Sequence, residues 1–228
     1  MTQRSLDSID PGRREALVVA AALAGQLAFP SLARAAQETT AANTARRTKL
    51  NLDRFVEDCM AANQESDPQA AVHDVLARAV SDPRRMLAAV GEPSRAGISV
   101  IHRSATLTIF NAAWTPQMNL MPHNHLMWAN IGIYTGREDN IFWRDSGRRI
   151  EAFGAKALFE GDAAPLPADA IHSVTNPLLR FTGGIHIYGG DFFATTRSQW
   201  DPETLDEEPS DGDAIRQMFD RENHRLGI

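Results

Sequence analysis

From Pro93 onward the chain is a succession of short runs rich in β-branched and aromatic residues, at 98–102, 107–114, 127–134, 140–144, 149–153, 170–174 and 180–188. Gly or Pro separates most of them. Runs of that length and spacing read as strands, and so many short strands bury their apolar faces by closing into a sandwich or barrel. Before Pro93 the pattern is helical: Leu52, Phe55, Val56 and Cys59 recur at three- and four-residue steps, along one stripe of a helix. Asp67-Pro68 and Asp82-Pro83 each join an N-cap to a proline suited to the first helical position, and Gly91 is placed to end the second of these helices. Residues 213–226 again have helical texture, with Ile215, Met218 and Phe219 on one side.

Histidines sit within this strand region. Side chains alternate along a strand, so His123 and His125 point to one face, and His172 from a later strand can complete a three-imidazole corner around a metal. Imidazole suits iron, nickel, copper or zinc, whereas magnesium and calcium favour oxygen donors. The same alternation puts Gly184, His186 and Tyr188 on one face and Ile185 and Ile187 on the other. If the polar face looks into a barrel, the isoleucines lie outside it, under the N-terminal helices.

Gly161, Pro167, His172 and Asn176 fall in register with the second motif of the cupin family, in which five residues separate Gly from Pro and three separate His from Asn; Asp169 replaces the motif's inner Gly. The first motif is matched at His123, His125 and Gly136, while Gln117 stands at its leading Gly and its Glu ligand falls on Ala129 or Asn130. The chain therefore resembles the cupins. Within them it is most similar to the cysteine dioxygenase and thiol dioxygenase group, whose members hold Fe(II) with three histidines and no acidic ligand. The likeness covers roughly residues 50–205 and continues into that group's Ser-x-His-x-Tyr run, where His186 and Tyr188 match and Gly184 replaces the serine.

The resemblance implies an all-β cupin double-stranded β-helix, or jelly roll, with N-terminal helices packed on the barrel and a C-terminal helix. It implies Fe(II) held by His123, His125 and His172, with His186 and Tyr188 as catalytic residues, and oxidation of a small thiol, cysteine or a mercapto-acid, to a sulfinate by O2. Two other readings stand beside it: another metal-dependent cupin oxygenase or isomerase, and a non-enzymatic cupin that binds a small ligand. The cysteine that some members cross-link to the tyrosine corresponds to Asn130, so that cross-link is impossible here. For the arginine that grips the substrate carboxylate, Arg95, Arg103 and Arg180 are candidates. Trp114, Trp128 and His102 are candidate pocket residues, and Asn176 is expected to support the turn after its ligand strand. Residues 137–140 read as a turn with a solvated charged face, and residues 200–209 as an acidic surface connector.

The net charge of −6 is unevenly spread, since residues 1–49 hold seven Lys or Arg against four Asp or Glu, a net +3 that leaves −9 for the rest. An acidic body argues against nucleic acid as a partner. The single cysteine, Cys59, excludes an internal disulfide, and its place in the helical stripe makes it a core residue. Arg13-Arg14, the apolar run 16–29 and Ala33-Arg34-Ala35 make residues 1–36 resemble a twin-arginine signal for a periplasmic protein without stable membrane association after processing. The other reading is a disordered extension on a cytoplasmic enzyme. Residues 37–49 read as linker, 50–92 as helical cover, 93–205 as barrel, and 206–228 as C-terminal tail and helix.

Overall fold

A computed structural model describes residues 50–147 and 149–228. The targeting segment and linker inferred for residues 1–49 lie outside the described residues. Three helices come first: α1 (Leu52–Ala62), α2 (Pro68–Val80) and α3 (Pro83–Val90). Each begins on a side-chain cap, with Asn51 accepting from the Arg54 amide at 2.9 Å, Asp67 from Ala70 at 3.1 Å and Asp82 from Arg85 at 3.4 Å. Gly91, at φ 89°, closes α3 as its spacing predicts.

Eleven strands follow: β1 (Gly97–Arg103), β2 (Thr108–Trp114), β3 (Asn119–Asn124), β4 (Ala129–Thr135), β5 (Arg137–Asp145), β6 (Ile150–Phe159), β7 (Ala163–Leu166), β8 (Ile171–Thr175), β9 (Thr182–Tyr188), β10 (Ser198–Trp200) and β11 (Glu207–Pro209). The chain ends in α4 (Gly212–Arg225). The strands form two antiparallel sheets, of order β1-β2-β9-β4-β7 and β11-β10-β3-β8-β5-β6. Successive strands cross repeatedly from one sheet to the other, which is the winding of a double-stranded β-helix. The 200–209 stretch, expected as a plain connector, folds back as the β10–β11 hairpin with Glu207 and Glu208 exposed.

Two apolar layers hold these parts together. One fills the space between the sheets and includes Phe110, Trp114, Ile131, Ile133, Tyr188 and Phe192. The other lies outside the five-stranded sheet, where Ile185 and Ile187 of β9 pack with Phe55, Cys59, Val72 and Leu76 of the helices. The alternation in β9 thus divides as its sequence predicts. Burying one such aliphatic side chain contributes about 1.5–3 kcal/mol, and Leu76, Ile185 and Ile187 are each fully buried. Close approach of α2 to β4 depends on Gly132, where an added Cβ would lie 2.9 Å from Leu76. Among the described residues no helix is long and apolar enough to cross a membrane.

Candidate metal centre

The site lies between the sheets and draws on both. His123 of β3 faces His172 of β8 across an antiparallel pair whose register is irregular between Leu120 and His123. His125 sits one residue beyond β3, before Leu126 turns the chain at φ 55°, so the strand expected to carry both first-motif histidines ends between them. The three rings nevertheless converge, with one ligand atom from each lying within 4.8 Å of the others. Gln117, which stands where the motif has Gly, adopts φ 60°, so the backbone keeps the left-handed turn that glycine would supply.

Hydrogen bonds set the direction of two of the three lone pairs, while His125 Nδ1 is buried without a hydrogen-bonded partner. Met121 O lies 3.0 Å from His123 Nδ1, so that nitrogen carries the proton and Nε2 is free to bind. His172 is set by a longer chain that starts at Glu138, a fully buried carboxylate. Burial alone would raise the Glu138 carboxyl, but attraction to the His186 ring and donation from Asn140 and Trp114 outweigh it and hold the group below its ordinary range. An ionised carboxylate only accepts. Asn140 therefore presents its Nδ2 to Glu138 at 3.1 Å and its Oδ1 to His172 Nδ1, which donates at 2.7 Å. The Nε2 lone pair of His172 is thereby aimed inward, 3.2 Å from His125 Nε2.

These distances suit a shared ion. Two nitrogens each about 2.1 Å from one metal would be about 3.0 Å apart at a right angle and about 3.4 Å apart at a tetrahedral angle. The 3.2 Å separation falls between. Burial lowers the His123 ring to about 4 and, with help from the neighbouring imidazoles, drives His125 and His172 well below their usual value. All three are neutral at pH 7, the state a metal requires. The three histidines can hold a metal ion, and among the described residues no carboxylate joins them.

The facing sheet supplies a second group. Tyr188 and His186 of β9 project into the interior, with His186 Nδ1 3.4 Å from the Tyr188 hydroxyl and His186 Nε2 3.4 Å from Glu138 Oε2. The latter contact lacks hydrogen-bond alignment, so Nε2 has no hydrogen-bonded partner. Trp114 Nε1 donates to the same carboxylate oxygen at 3.0 Å. Burial, aided by the Glu138 charge and opposed by Arg197, pushes the Tyr188 phenol far up, so it keeps its proton. The Tyr188 ring stands edge-on to His125, with centroids 4.8 Å apart.

Several expectations need correction. Residues 137–140 form the start of β5 instead of a turn: Arg137 and Asp139 pair with each other on one face, while Glu138 and Asn140 point inward. None of Arg95, Arg103 and Arg180 lines the cavity; each lies at the surface beside an acid, namely Asp220, Asp191 and Glu160. Two arginines do line it: Arg216 of α4, paired with Asp213, and, beside His123, Arg197, whose guanidinium lies 3.8 Å from the Phe192 ring centroid and whose Nε has no hydrogen-bonded partner. Burial pulls its pKa down. No local pattern marks Arg197, because it lies in the irregular stretch before β10.

Asn130, matched above to the cross-linking cysteine, faces the helices and donates to Gln69 O at 3.0 Å; Ala129 is the residue opposite Tyr188. Trp114 walls the cavity, whereas Trp128 packs with the helical layer and His102 does not line the cavity. Asn176 holds the turn as expected, with Nδ2 donating to Trp114, Thr115 and Arg180 carbonyls and Oδ1 accepting from the Leu178 amide and the Thr182 hydroxyl.

No family model and no curated protein matches the sequence. Solved structures do. A cupin superfamily protein from Desulfitobacterium hafniense aligns over 46% of this chain and 85% of its own at 13% identity and a TM-score of 0.37. A conserved protein with a double-stranded β-helix domain from Klebsiella pneumoniae aligns over 53% and 88% at 12% identity and 0.35. A single-residue variant of oxalate decarboxylase from Bacillus subtilis aligns over 40% of this chain but 23% of its own, at 19% identity and 0.33. The chain's own strand order is that of a double-stranded β-helix, with helices on the outer face of its five-stranded sheet.

Proposed function

We propose that the protein is a mononuclear non-haem Fe(II) dioxygenase that converts a thiol acid to its sulfinate with O2. The reading is carried by three buried neutral imidazoles without an acidic ligand, beside a protonated phenol and a half-buried guanidinium. An Fe(II) ion held by His123, His125 and His172 would keep its full double charge and supply oxygen activation beside a bound thiolate. The balance is R–SH + O2 → R–SO2H, with both oxygen atoms ending on sulfur as sulfur is oxidised and O2 reduced.

The chain's own residues have distinct parts. Arg197 binds the substrate carboxylate, for which a guanidinium is well shaped. Tyr188 stands edge-on to His125 and remains protonated through the working range. His186 lies between these groups, with Nε2 3.4 Å from Glu138 Oε2 and Nδ1 3.4 Å from the Tyr188 hydroxyl, so the phenol is positioned by its neighbour on β9. The apolar layer between the sheets excludes water around these groups.

Iron-loaded protein supplied with cysteine, mercaptopropionate or cysteamine tests the reading. Oxygen uptake should depend on added thiol, yield sulfinate in equal amount, and be weakest with cysteamine, which has no carboxylate for Arg197. Uptake independent of thiol refutes it. His172→Ala should lose most bound iron, and stoichiometric iron in that variant would remove His172 from the ligand set.

A further inference from the structure

The cavity beside the histidines has a volume of about 680 Å3. At roughly the 30 Å3 that one water molecule takes up in the liquid, a seven-heavy-atom thiol acid such as cysteine fills only about 200 Å3. The remaining space is not built for water. It runs from His123 and Arg197 past Phe110 and Trp114 to Ile98 on β1 and Ile215 and Phe219 on α4. The histidines, Tyr188 and Arg197 stand at the inner end, and the charged groups at the outer end are partnered among themselves or with neighbours: Asp213 pairs with Arg216, Asp220 lies 3.8 Å from Arg95, and Asp211 caps α4.

The outer wall is fixed in place. Asn223 of α4 donates to Ala96 O at 3.0 Å and accepts from Ala96 N at 2.8 Å, and Phe219 stacks on Trp114 with centroids 5.5 Å apart. We infer that the site takes an acid with a long apolar substituent, its carboxylate on Arg197 and its chain or ring laid along Trp114 toward Ile98, Ile215 and Phe219. A pocket of this volume, mostly apolar between its ends and with an arginine at the inner one that is free of ion pairing among the described residues, is the usual form of a site for a ligand much larger than a three-carbon acid. The inference deepens the proposed activity and rests on it for the thiol, but the apolar channel is a separate observation.

The test uses the metal-loaded full chain and two ligand series. Dissociation constants of straight-chain alkanoates of three, six and nine carbons, which carry no thiol, should fall about fourfold per added methylene. The matching alkanols should bind more weakly at every length, because they lack the charge for Arg197. Ile215→Trp, which fills the outer end, should collapse the ratio of long-chain to short-chain affinity. A second set, 2-mercaptoalkanoates of the same lengths, should show the same trend in KM for oxygen uptake. Affinity that is flat with chain length in the unmodified protein overturns the inference, whatever the oxygen electrode reports. A chain-length gradient without oxygen uptake from any thiol supports the channel and refutes the dioxygenase reading.

Discussion

Glu138→Gln is the most informative single change, because it alters one atom in a chain of fixed donors and acceptors. Glu138 Oε2 accepts from Trp114 at 3.0 Å and Oε1 from Asn140 at 3.1 Å. An amide can keep its carbonyl toward Trp114 only by turning its NH2 toward the Asn140 NH2. Two donors then face each other, and Asn140 must rotate its amide. Rotation presents NH2 to His172 Nδ1, so His172 moves its proton to Nε2, the nitrogen that faces His125. The metal-binding lone pair is lost. A buried hydrogen bond to a charged group contributes about 1.5–3 kcal/mol. Replacing a partner one step behind a ligand typically weakens metal binding about 10- to 100-fold, or roughly 1.4–2.7 kcal/mol. Anaerobic competition against a chromophoric chelator measures this directly. Adding Asn140→Asp to Glu138→Gln exchanges acid and amide and restores the direction of every donor, so the double variant should regain most of the lost affinity. Unchanged metal affinity in Glu138→Gln, or no recovery in the double variant, refutes this ordering of protons from Glu138 to His172.

Tyr188→Phe should retain its metal yet turn over about a hundredfold more slowly, and an unaltered rate at full metal content removes the phenol from the mechanism. The metal-free protein should be acid-sensitive: burial lowers His123 from 6.5 to about 4, so the stability it contributes is whole above 6.5 and fades as pH falls through the interval, with about 3 kcal/mol lost by pH 4. Glu138, held below its ordinary 4.5, acts in the same direction at lower pH. Denaturant midpoints that stay level from pH 7 to pH 4 contradict this. Gly132→Ala should cost about 1–3 kcal/mol by forcing Leu76 off β4, and Leu76→Ala in the same chain should relieve the clash, giving a double variant more stable than the sum of the two changes.

Period-two alternation and end signals made most of the fold legible. The caps at Asp67 and Asp82, the stop at Gly91 and the two-faced β9 are local features, and each is where its residues place it. The three histidines were also legible, because their spacing matches known motifs. Harder to see were groups whose meaning comes from what lies across the barrel. Glu138 and Asn140 look like surface residues beside Arg137 and Asp139, and only the pairing of β5 with β8 brings them behind His172. Arg197 belongs to no periodic run, and its approach to the site is set by β10 pairing with β3 at Gln199 and His123. Trp114 and Trp128 carry the same sequence signal but fall on opposite sides of one sheet, a matter of register.

Cys59 is fully buried beneath α1, and burial with the adjacent Asp58 raises its thiol to about 12. The only sulfhydryl in the polypeptide is thus sealed away and uncharged, on the far side of the five-stranded sheet from the histidine trio. Under the proposed thiol oxidation the protein would thus carry no target of its own within reach, and alkylating reagents added to quench an assay should leave the native protein unlabelled.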